Sequence, residues 1–166
     1  GRWGVNYIYG TWSVLAGLRA IGEDLSAPHI RRAVSWLESK QNPDGGWGES
    51  CLSYAEAEHS GKGDSTPSQT AWALMGLMSA GAVDSFSVAR GVQFLLRHQL
   101  KDGSWEEVRH TGTGFPRVFY LRYHWYCQDF PLWALAMYRN LRSRGKMPAD
   151  ELRHYVQVDG SYRTER

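Results

Sequence analysis

The sequence has little that would point to redox chemistry, nucleic acid or a membrane span. Its 166 residues include only two cysteines, Cys51 and Cys127, which lie far apart and form no C-x-x-C pair, so a disulfide scaffold is excluded. Basic residues number 19 and acidic residues 17, and the net charge of +2 provides no basic field for nucleic acid. No apolar run approaches the ~20 residues of a spanning helix, and we expect no signal peptide.

Possible metal ligands are equally sparse. Cys51, His59 and Asp64 could suggest zinc, but they lie in or next to a polar loop, and no second Cys or His completes a tetrahedral set. We therefore predict no metal. The pair Glu106–Glu107 is predicted to be solvated surface, and Cys127 to be a small buried side chain.

Aromatic side chains, in contrast, are abundant, with eight Trp, nine Tyr and five Phe. They are densest in Gly112–Tyr126, which reads GTGFPRVFYLRYHWY. Phe115, Phe119, Tyr123 and Tyr126 fall at steps of four, four and three, which on a helix places them in one stripe. Such a stripe is most often core packing. The alternative is a surface that contacts something large, apolar and cationic, because aromatic faces attract cations.

An internal repeat organises the rest of the chain. Segments 32–47 (RAVSWLESKQNPDGGW) and 90–105 (RGVQFLLRHQLKDGSW) align without a gap at an offset of 58. A more apolar segment lies upstream of each, at 10–18 and 70–78, and a third copy at 131–139 reads PLWALAMYR. The residues that match between the longer segments include Gln41 with Gln99, Gly45 with Gly103, and Trp47 with Trp105. Each unit therefore has two helices and a Gln–Trp turn.

Helix signals distinguish an inner from an outer helix in each unit. Thr66 can cap a helix, Pro67 fits its first turn, and Gln69 can close a capping box. The following residues 71–78 are apolar on nearly every side, whereas the helices around 30–40 and 88–98 are amphipathic. No alternating strand pattern appears. The sequence predicts an all-α fold, an α/α toroid of inner and outer helices in which each unit covers the next.

The Gln–Trp turn is predicted to be structural rather than catalytic. Its Gln amide can bond to helix termini that lack partners, its Trp ring can lie over that amide, and its Gly permits a sharp backbone. The turn would then clamp neighbouring outer helices. The alternative is a simple helix stop, which two copies with the same internal spacing argue against.

These motifs resemble the QW repeat of the triterpene cyclases. GTGFPRVFYLRYHWY followed by FPLWALAMYR is similar to the C-terminal end of bacterial squalene–hopene cyclases, and so are GRWGVNYIYGT at 1–11 and STPSQTAW at 65–72. The resemblance extends to about residue 139. We therefore assign residues 1–142 to the C-terminal part of the toroid domain, incomplete at its N-terminus, and 143–166 to a tail in which 148–150 could begin a short helix.

The resemblance implies an enzyme that cyclises squalene to hopene or hopanol through carbocations, in hopanoid biosynthesis, with no metal or organic cofactor. Tyr9 matches a tyrosine near the catalytic acid, and Leu121 and Tyr120 belong to the substrate cavity. The family's cavity aromatics match Trp3, Phe115, Phe119, Tyr123 and Tyr126. Among these, Phe115 and Phe119 are expected to face the later cations.

The family's protonating D-x-D-D motif is absent from this sequence. We expect that acid upstream, so the fragment alone should have no cyclase activity. The family also implies a homodimer, monotopic on the cytoplasmic face of the bacterial inner membrane. Two alternatives stay open: another terpene cyclase acting on a different polyprene, or a non-catalytic helical toroid that binds an apolar ligand. An upstream D-x-D-D that faces the aromatic residues would distinguish a cyclase from a binding module.

Overall fold

The computed structural model describes residues 2–143, which are mostly helical. The helices are α1 Tyr7–Ala20, α2 Pro28–Ser39, α3 Pro67–Ser79, α4 Phe86–His98 and α5 Tyr126–Ser143, and a hairpin of β1 Gly112–Phe115 and β2 Phe119–Leu121 precedes α5. Within residues 2–143, none of the helices has the length and apolar character needed to cross a membrane. The short helix predicted to begin at 148–150 lies outside the described residues.

The predicted burial of the helix over residues 71–78 and the amphipathic character of the two outer helices are confirmed. All residues of α3 are buried, and α3 packs between α1 and α5. The outer helices α2 and α4 each bury one apolar face, which contains Ile30, Val34 and Leu37 in α2 and Val88, Val92 and Leu95 in α4. The inner helices are therefore α1, α3 and α5. The part of the chain that the structure describes does not close into a ring.

The start of α3 agrees only in part with the predicted capping box. The Thr66 hydroxyl accepts a hydrogen bond from the backbone N–H of Gln69, as a cap should. The side chain of Gln69 does not return to the backbone N–H of Thr66, because that N–H donates to the carbonyl of Trp47. Instead, Gln69 Nε2 donates to the carbonyls of Val5 (3.1 Å) and Glu49 (3.0 Å). The predicted hydrogen bond from Gln69 back to Thr66 was therefore wrong. The Gln69 side chain instead joins the N-terminal segment, at Val5, to the loop that precedes α3, at Glu49.

The stretch Gly112–Tyr126 is not a helix, so the predicted helical stripe of aromatic residues was wrong, and the fold is mostly helical with one hairpin rather than purely helical. Phe115 and Phe119 lie in the hairpin, and only Tyr126 is helical, as the first residue of α5. Glycine and proline disfavour a helix in GTGFP, whereas Thr, Phe, Val and Tyr favour strands. The hairpin turn also needs a positive φ of 69° at Arg117, which a helix cannot accommodate.

The first Gln–Trp turn, residues 41–47, joins the two outer helices. Gln41 Nε2 donates to the carbonyl of Gly45 (2.9 Å) within the turn and to that of Ser87 (2.8 Å) in α4. The indole Nε1 of Trp47 donates to the carbonyl of Leu37 (2.7 Å), one of the last carbonyls of α2. Gly45 has a φ of 93°, which glycine adopts without strain.

The second Gln–Trp turn, residues 99–105, repeats the internal bonds without the external one. Gln99 Nε2 donates to the carbonyl of Gly103 (2.9 Å), and Trp105 Nε1 to that of Leu95 (2.9 Å). Among the described residues no further outer helix follows α4, so Gln99 has nothing equivalent to Ser87 to bond.

A buried glutamate follows each Gln–Trp turn and caps an inner helix. Glu49 Oε2 accepts from the backbone N–H groups of Asn6 (3.1 Å) and Ile8 (2.9 Å) at the start of α1. Glu107 accepts from the backbone N–H (3.0 Å) and the hydroxyl (2.8 Å) of Ser68 in the first turn of α3. It also accepts from the hydroxyl of Thr111 (2.7 Å). Glu107 is only 9% exposed, so its prediction as solvated surface was wrong.

Replacing Glu107 by Ala should destabilise the fold by about 2 kcal/mol or more, because the Ser68 amide and two buried hydroxyls lose their acceptor. Urea unfolding followed by circular dichroism measures the difference. Glu106→Ala is the matched control: Glu106 is exposed, so this change should shift the free energy of unfolding by no more than about 0.5 kcal/mol. Equal destabilisation by the two variants would contradict the capping role.

Candidate functional site

An aromatic cluster joins the N-terminal halves of the three inner helices. Trp72 of α3 lies at its centre, with its ring centroid 4.9 Å from that of Tyr9, 5.7 Å from Tyr126 and 5.4 Å from Phe130, all edge to face. Tyr126 also lies 4.7 Å from Tyr123 and 5.1 Å from Phe130. These five residues are named the inner aromatic cluster. Edge-to-face pairs stabilise each other by about 0.5–1.5 kcal/mol beyond burial, so the rings hold one another in place.

The cluster continues across the inner helices towards α1. Trp12 lies 5.5 Å from Phe130 and 6.0 Å from Trp133, with the rings nearly perpendicular in both pairs. Trp72 is fully buried, and its indole N–H has no hydrogen-bond partner among the described residues. An indole N–H that is buried without an acceptor is uncommon, and here the Trp72 ring packs edge to face with three other aromatic rings.

Two glycines bring the backbone against these rings. A Cβ atom on Gly112 would lie 2.5 Å from the Tyr123 ring, and a Cβ on Gly4 would overlap the Tyr9 ring. Gly4 and Gly112 pair through an isolated antiparallel bridge, so one strip of backbone supports both tyrosines. Only glycine permits this close approach. The N-terminal segment, the hairpin and the inner helices thus form one continuous site.

Phe115 and Phe119 form a separate pair on the hairpin. Their ring centroids are 5.7 Å apart, and the two side chains are 55% and 42% exposed. The Phe119 ring lies over the backbone of Gly114, where a Cβ would overlap it. The guanidinium of Arg2 lies 5.8 Å from the centroid of the Phe115 ring. In the described part of the chain, both rings therefore present accessible faces.

The main chain of Trp3 links the inner aromatic cluster to the hairpin. Its carbonyl accepts a hydrogen bond from the Tyr126 hydroxyl (3.5 Å) and from the backbone N–H of Thr113 (3.4 Å). Its side chain is 57% exposed. The structure thus brings Tyr9, Tyr123 and Tyr126 together in the cluster, with Trp3 at its edge.

The remaining predicted cavity residues lie on opposite faces of β2, as successive strand residues must. Tyr120 points away from Phe119 and stacks on Tyr54, with ring centroids 5.9 Å apart, and its hydroxyl donates to the carbonyl of Cys51 (3.3 Å). Leu121 is half-buried and pairs with Gly112 across the hairpin.

Burial favours the neutral forms of two groups at the start of α5, Tyr126 and Cys127. Burial raises the pKa of Tyr126 to about 12, with a smaller contribution from the phenols of Tyr9 and Tyr123. Burial likewise raises the pKa of the Cys127 thiol, and the Glu107 carboxylate contributes. Cys127 is 8% exposed, which confirms its prediction as a buried small side chain. The Tyr126 phenol is therefore a neutral hydrogen-bond donor at ordinary pH.

Cavities and clusters of possible metal ligands lie elsewhere in the described residues. A cavity of about 540 Å³ lies beside Trp105 and Trp125, and one of about 330 Å³ beside Glu49 and His110. Neither is lined by a member of the inner aromatic cluster. One group of three candidate ligand atoms within 4.8 Å of one another occurs in residues 2–143 and consists of Glu56, Glu58 and His59. It does not contain Cys51 or Asp64, which the zinc interpretation required.

Two members of the inner aromatic cluster were missed by the sequence reasoning. Trp72 was assigned only to a buried helix, although Trp recurs at the same position of the inner segments as Trp12 and Trp133. Phe130 stands four residues after Tyr126, the spacing of neighbours on one helix face. Gly4 carries no signal of its own in the sequence, because its role depends on a ring from the following helix.

Comparison with known proteins gives one consistent result. A family model for the squalene–hopene cyclase C-terminal domain matches residues 1–140. The chain is 62% identical over 145 residues to a probable squalene–hopene cyclase of Sinorhizobium fredii. It is 59% identical over 145 residues to a squalene–hopene cyclase of Bradyrhizobium diazoefficiens. Each of these matches covers 86% of the chain and 22% of the relative. A dammaradiene synthase of Dryopteris crassirhizoma is 48% identical over 161 residues, which cover 89% of the chain and 24% of that protein. The chain spans about a fifth of the length of the curated relatives it matches.

The buried phenol of Tyr126 should make the fold lose stability above pH 10. Its pKa is 10.0 before folding and about 12 in the fold, so the unfolded chain releases the proton first as the pH rises. The stability contributed by the neutral phenol is therefore complete below pH 10 and is lost between pH 10 and 12. Tyr126→Phe should flatten this fall, as measured by urea unfolding at a series of pH values.

Tyr7→Phe is the control for that experiment, because Tyr7 is exposed and lies outside the inner aromatic cluster. It should leave the alkaline fall in stability as steep as in the parent chain. If Tyr126→Phe and the parent lost stability with the same slope, the raised pKa of Tyr126 would be excluded.

Proposed function

The chain belongs to the squalene–hopene cyclase C-terminal domain family, and we propose that it lines part of the reaction cavity of an enzyme that cyclises squalene to hopene or hopanol. The observation that carries this proposal is the inner aromatic cluster, in which rings from three helices meet beside a glycine-supported backbone. The family match over residues 1–140 supports it independently. The reaction is an intramolecular transfer that belongs to hopanoid biosynthesis.

The chemistry of such a reaction favours aromatic rings over charged groups. Ring closure of a polyene proceeds through carbocations, and a carboxylate near one would capture it or remove a proton. An aromatic face attracts a cation by about 0.5–2 kcal/mol without acting as a base. Several fixed faces act as preorganised electrostatic stabilisation, which costs no reorganisation as the charge moves. Tyr9, Tyr123 and Tyr126 are the residues proposed to provide such faces.

The protonation state of the Tyr126 phenol fits this role. A phenolate would quench a cation, whereas a neutral phenol offers only its ring and a weakly basic oxygen. Burial holds the Tyr126 pKa at about 12, so this phenol is neutral at the pH of a cell. The Tyr126 hydroxyl donates its proton to the carbonyl of Trp3. Exclusion of water would prevent early termination.

Phe115 and Phe119 are proposed to face the cations formed late in the cascade, with Leu121 and Tyr120 shaping that region. What supports this is their pairing on the hairpin, 5.7 Å apart, next to the N-terminal segment that contains Trp3. Their exposed faces are available to a substrate or to other parts of a longer protein. We propose that such parts enclose them in the whole enzyme.

The remainder of the whole enzyme is inferred from family membership. We propose that the three inner and two outer helices form part of an α/α toroid, and that its protonating acid lies in another part of the protein. No D-x-D-D motif occurs in the 166 residues. We further propose a homodimer attached to one face of the bacterial inner membrane, on the cytoplasmic side, where an apolar hydrocarbon substrate would be concentrated.

A second candidate reaction is supported by the similarity to a dammaradiene synthase. The same scaffold and the same aromatic residues would serve a cascade that ends in a different product. The cavity chemistry would not change, because each intermediate is still a carbocation. The products formed from squalene would distinguish the two reactions.

The 166-residue chain incubated with squalene should form no cyclised product, because it lacks the D-x-D-D acid that starts the cascade. Gas chromatography with mass spectrometry measures the products, with a complete squalene–hopene cyclase as positive control. Detection of hopene or hopanol with the chain alone would show that a residue of this chain supplies the proton.

The role of Phe119 can be tested in a chimera in which residues 1–143 replace the matching segment of the Bradyrhizobium diazoefficiens enzyme. Phe119→Ala should raise the fraction of incompletely cyclised products by about twofold to thirtyfold, the range expected from losing one cation–π contact. Phe86→Ala is the control, since Phe86 is 77% exposed on outer helix α4, and its product mixture should match the parent. An unchanged mixture with Phe119→Ala would contradict the assignment.

A further inference from the structure

We propose that Arg117 is a positioning residue, which anchors the turn of the hairpin to the short 3-10 helix Cys51–Tyr54. This anchor holds the rings of Phe115 and Phe119 in place. The inference rests on the proposed function, because it takes these two rings to face the substrate. The anchor itself consists of hydrogen bonds within the described residues and can be measured without any reaction.

The backbone of the hairpin turn is unfavourable for the residue that occupies it. The turn runs from Phe115 to Val118, and the Val118 N–H donates to the Phe115 carbonyl (3.0 Å). Proline stands at its second position and a positive φ of 69° at its third, as in a type II turn, whose third position favours glycine. Among residues 2–143, Arg117 alone combines a side chain with a positive φ. Such strain indicates a compensating contact.

The Arg117 side chain makes that contact. Its Nε donates to the carbonyl of Tyr54 (2.6 Å), the last residue of the short helix, and a bond from a charged donor is stronger than one between neutral groups. The backbone N–H of Arg117 donates to the Tyr120 hydroxyl (3.2 Å). That hydroxyl in turn donates to the carbonyl of Cys51 (3.3 Å), the first residue of the short helix. Arg117 is thus connected to both ends of the short helix.

The anchor lies on the face of the hairpin opposite the two phenyl rings. Phe115 and Phe119 are partners across the two strands, so their side chains share one face. Tyr120 follows Phe119 in β2, and its ring lies on the other face, stacked on that of Tyr54 with the centroids 5.9 Å apart. One face of the hairpin therefore binds the short helix, while the other presents the phenyl rings.

A hairpin of two short strands needs such support, because two strands by themselves are marginally stable in water. Its base is held by the N-terminal segment, through the bridge between Gly4 and Gly112. The turn lies at the other end, between Phe115 and Phe119. The bond from Arg117 therefore holds the end of the hairpin that carries the phenyl rings.

The short helix is a firm support, because buried contacts hold it against α1. Ser53 is only 3% exposed, and its hydroxyl accepts from the side-chain amide of Asn6 (3.2 Å) at the start of α1. The Tyr54 hydroxyl donates to the carbonyl of Gly4 (3.2 Å). Burial raises the pKa of the Tyr54 phenol, so this donor keeps its proton at ordinary pH. The anchor thus connects the hairpin to the frame of the inner helices.

Hydrogen exchange of the 166-residue chain tests the anchor. In Arg117→Gly, glycine suits the positive φ but makes the unfolded chain more flexible, so the midpoint of urea unfolding should stay near that of the parent. The protection of the hairpin amides, residues 112–121, should nevertheless fall about twofold to tenfold, the effect of losing one hydrogen bond. Val118→Ala is the matched control in the same turn, because that side chain is 75% exposed. Its hairpin should keep the parent's protection.

The effect on the rings is tested in the chimera with the Bradyrhizobium diazoefficiens enzyme. Arg117→Gly should raise the fraction of incompletely cyclised products at least about twofold, because a displaced group loses part of its effect on the transition state. Arg117→Lys should lie between Arg117→Gly and the parent, since its ammonium can still donate to the Tyr54 carbonyl. A role in stability alone would not give this order, because glycine is the residue that the backbone of the turn favours.

Two outcomes would overturn the proposal. The first is unchanged protection of the hairpin in Arg117→Gly, which would show that the bond to Tyr54 does not hold the turn. The second is lost protection together with the parent's product mixture, which would show that the anchor does not position the rings. A folded parent chimera that forms no cyclised product would contradict the proposed function instead, and the exchange measurement would then decide by itself whether Arg117 anchors the hairpin.

Discussion

A helix without a polar face has to be covered on every side, and α3 is such a helix. Every residue from Pro67 to Ser79 is buried, so α1 and α5 must flank it and the outer helices must cover what remains. This requirement brings the N-terminal halves of the three inner helices to one place. The inner aromatic cluster around Trp72 is a direct consequence, because Tyr9 and Tyr126 lie in the first turns of the helices that flank α3.

The connections between the helices are held by polar side chains that bond to backbone groups. In the first unit, the Thr70 hydroxyl accepts from the backbone N–H of Trp47 (2.9 Å), and in the second, the Gln128 carbonyl oxygen accepts from that of Trp105 (3.1 Å). The repeat therefore preserves the bond rather than the residue that makes it. Buried loops need such partners, since an unpaired amide costs about 1–3 kcal/mol.

The helical units could be predicted from the sequence because the spacing of apolar residues along a helix shows which of its faces are buried. The hairpin was missed because Phe115 and Phe119 have the spacing of a helix stripe, and spacing alone does not distinguish a helix from a strand pair joined by a turn. The glycines at 112 and 114 and the proline at 116 were the better guide. The burial of Glu107 was missed for another reason: the residue type alone does not distinguish a solvated glutamate from one that caps a helix. Its recurrence two residues after each Trp of the Gln–Trp turns was the available signal.

The buried glutamates have an electrostatic consequence for the aromatic cluster. A helix N-terminus carries about half a positive charge from its aligned peptide dipoles, and three such ends lie beside rings that are proposed to hold a cation. Left uncompensated, these ends would repel it. Glu49 at α1 and Glu107 at α3 each place a full negative charge behind the helix end, on the backbone side rather than among the rings. The two caps therefore offset the positive ends of α1 and α3 without placing a carboxylate among the rings.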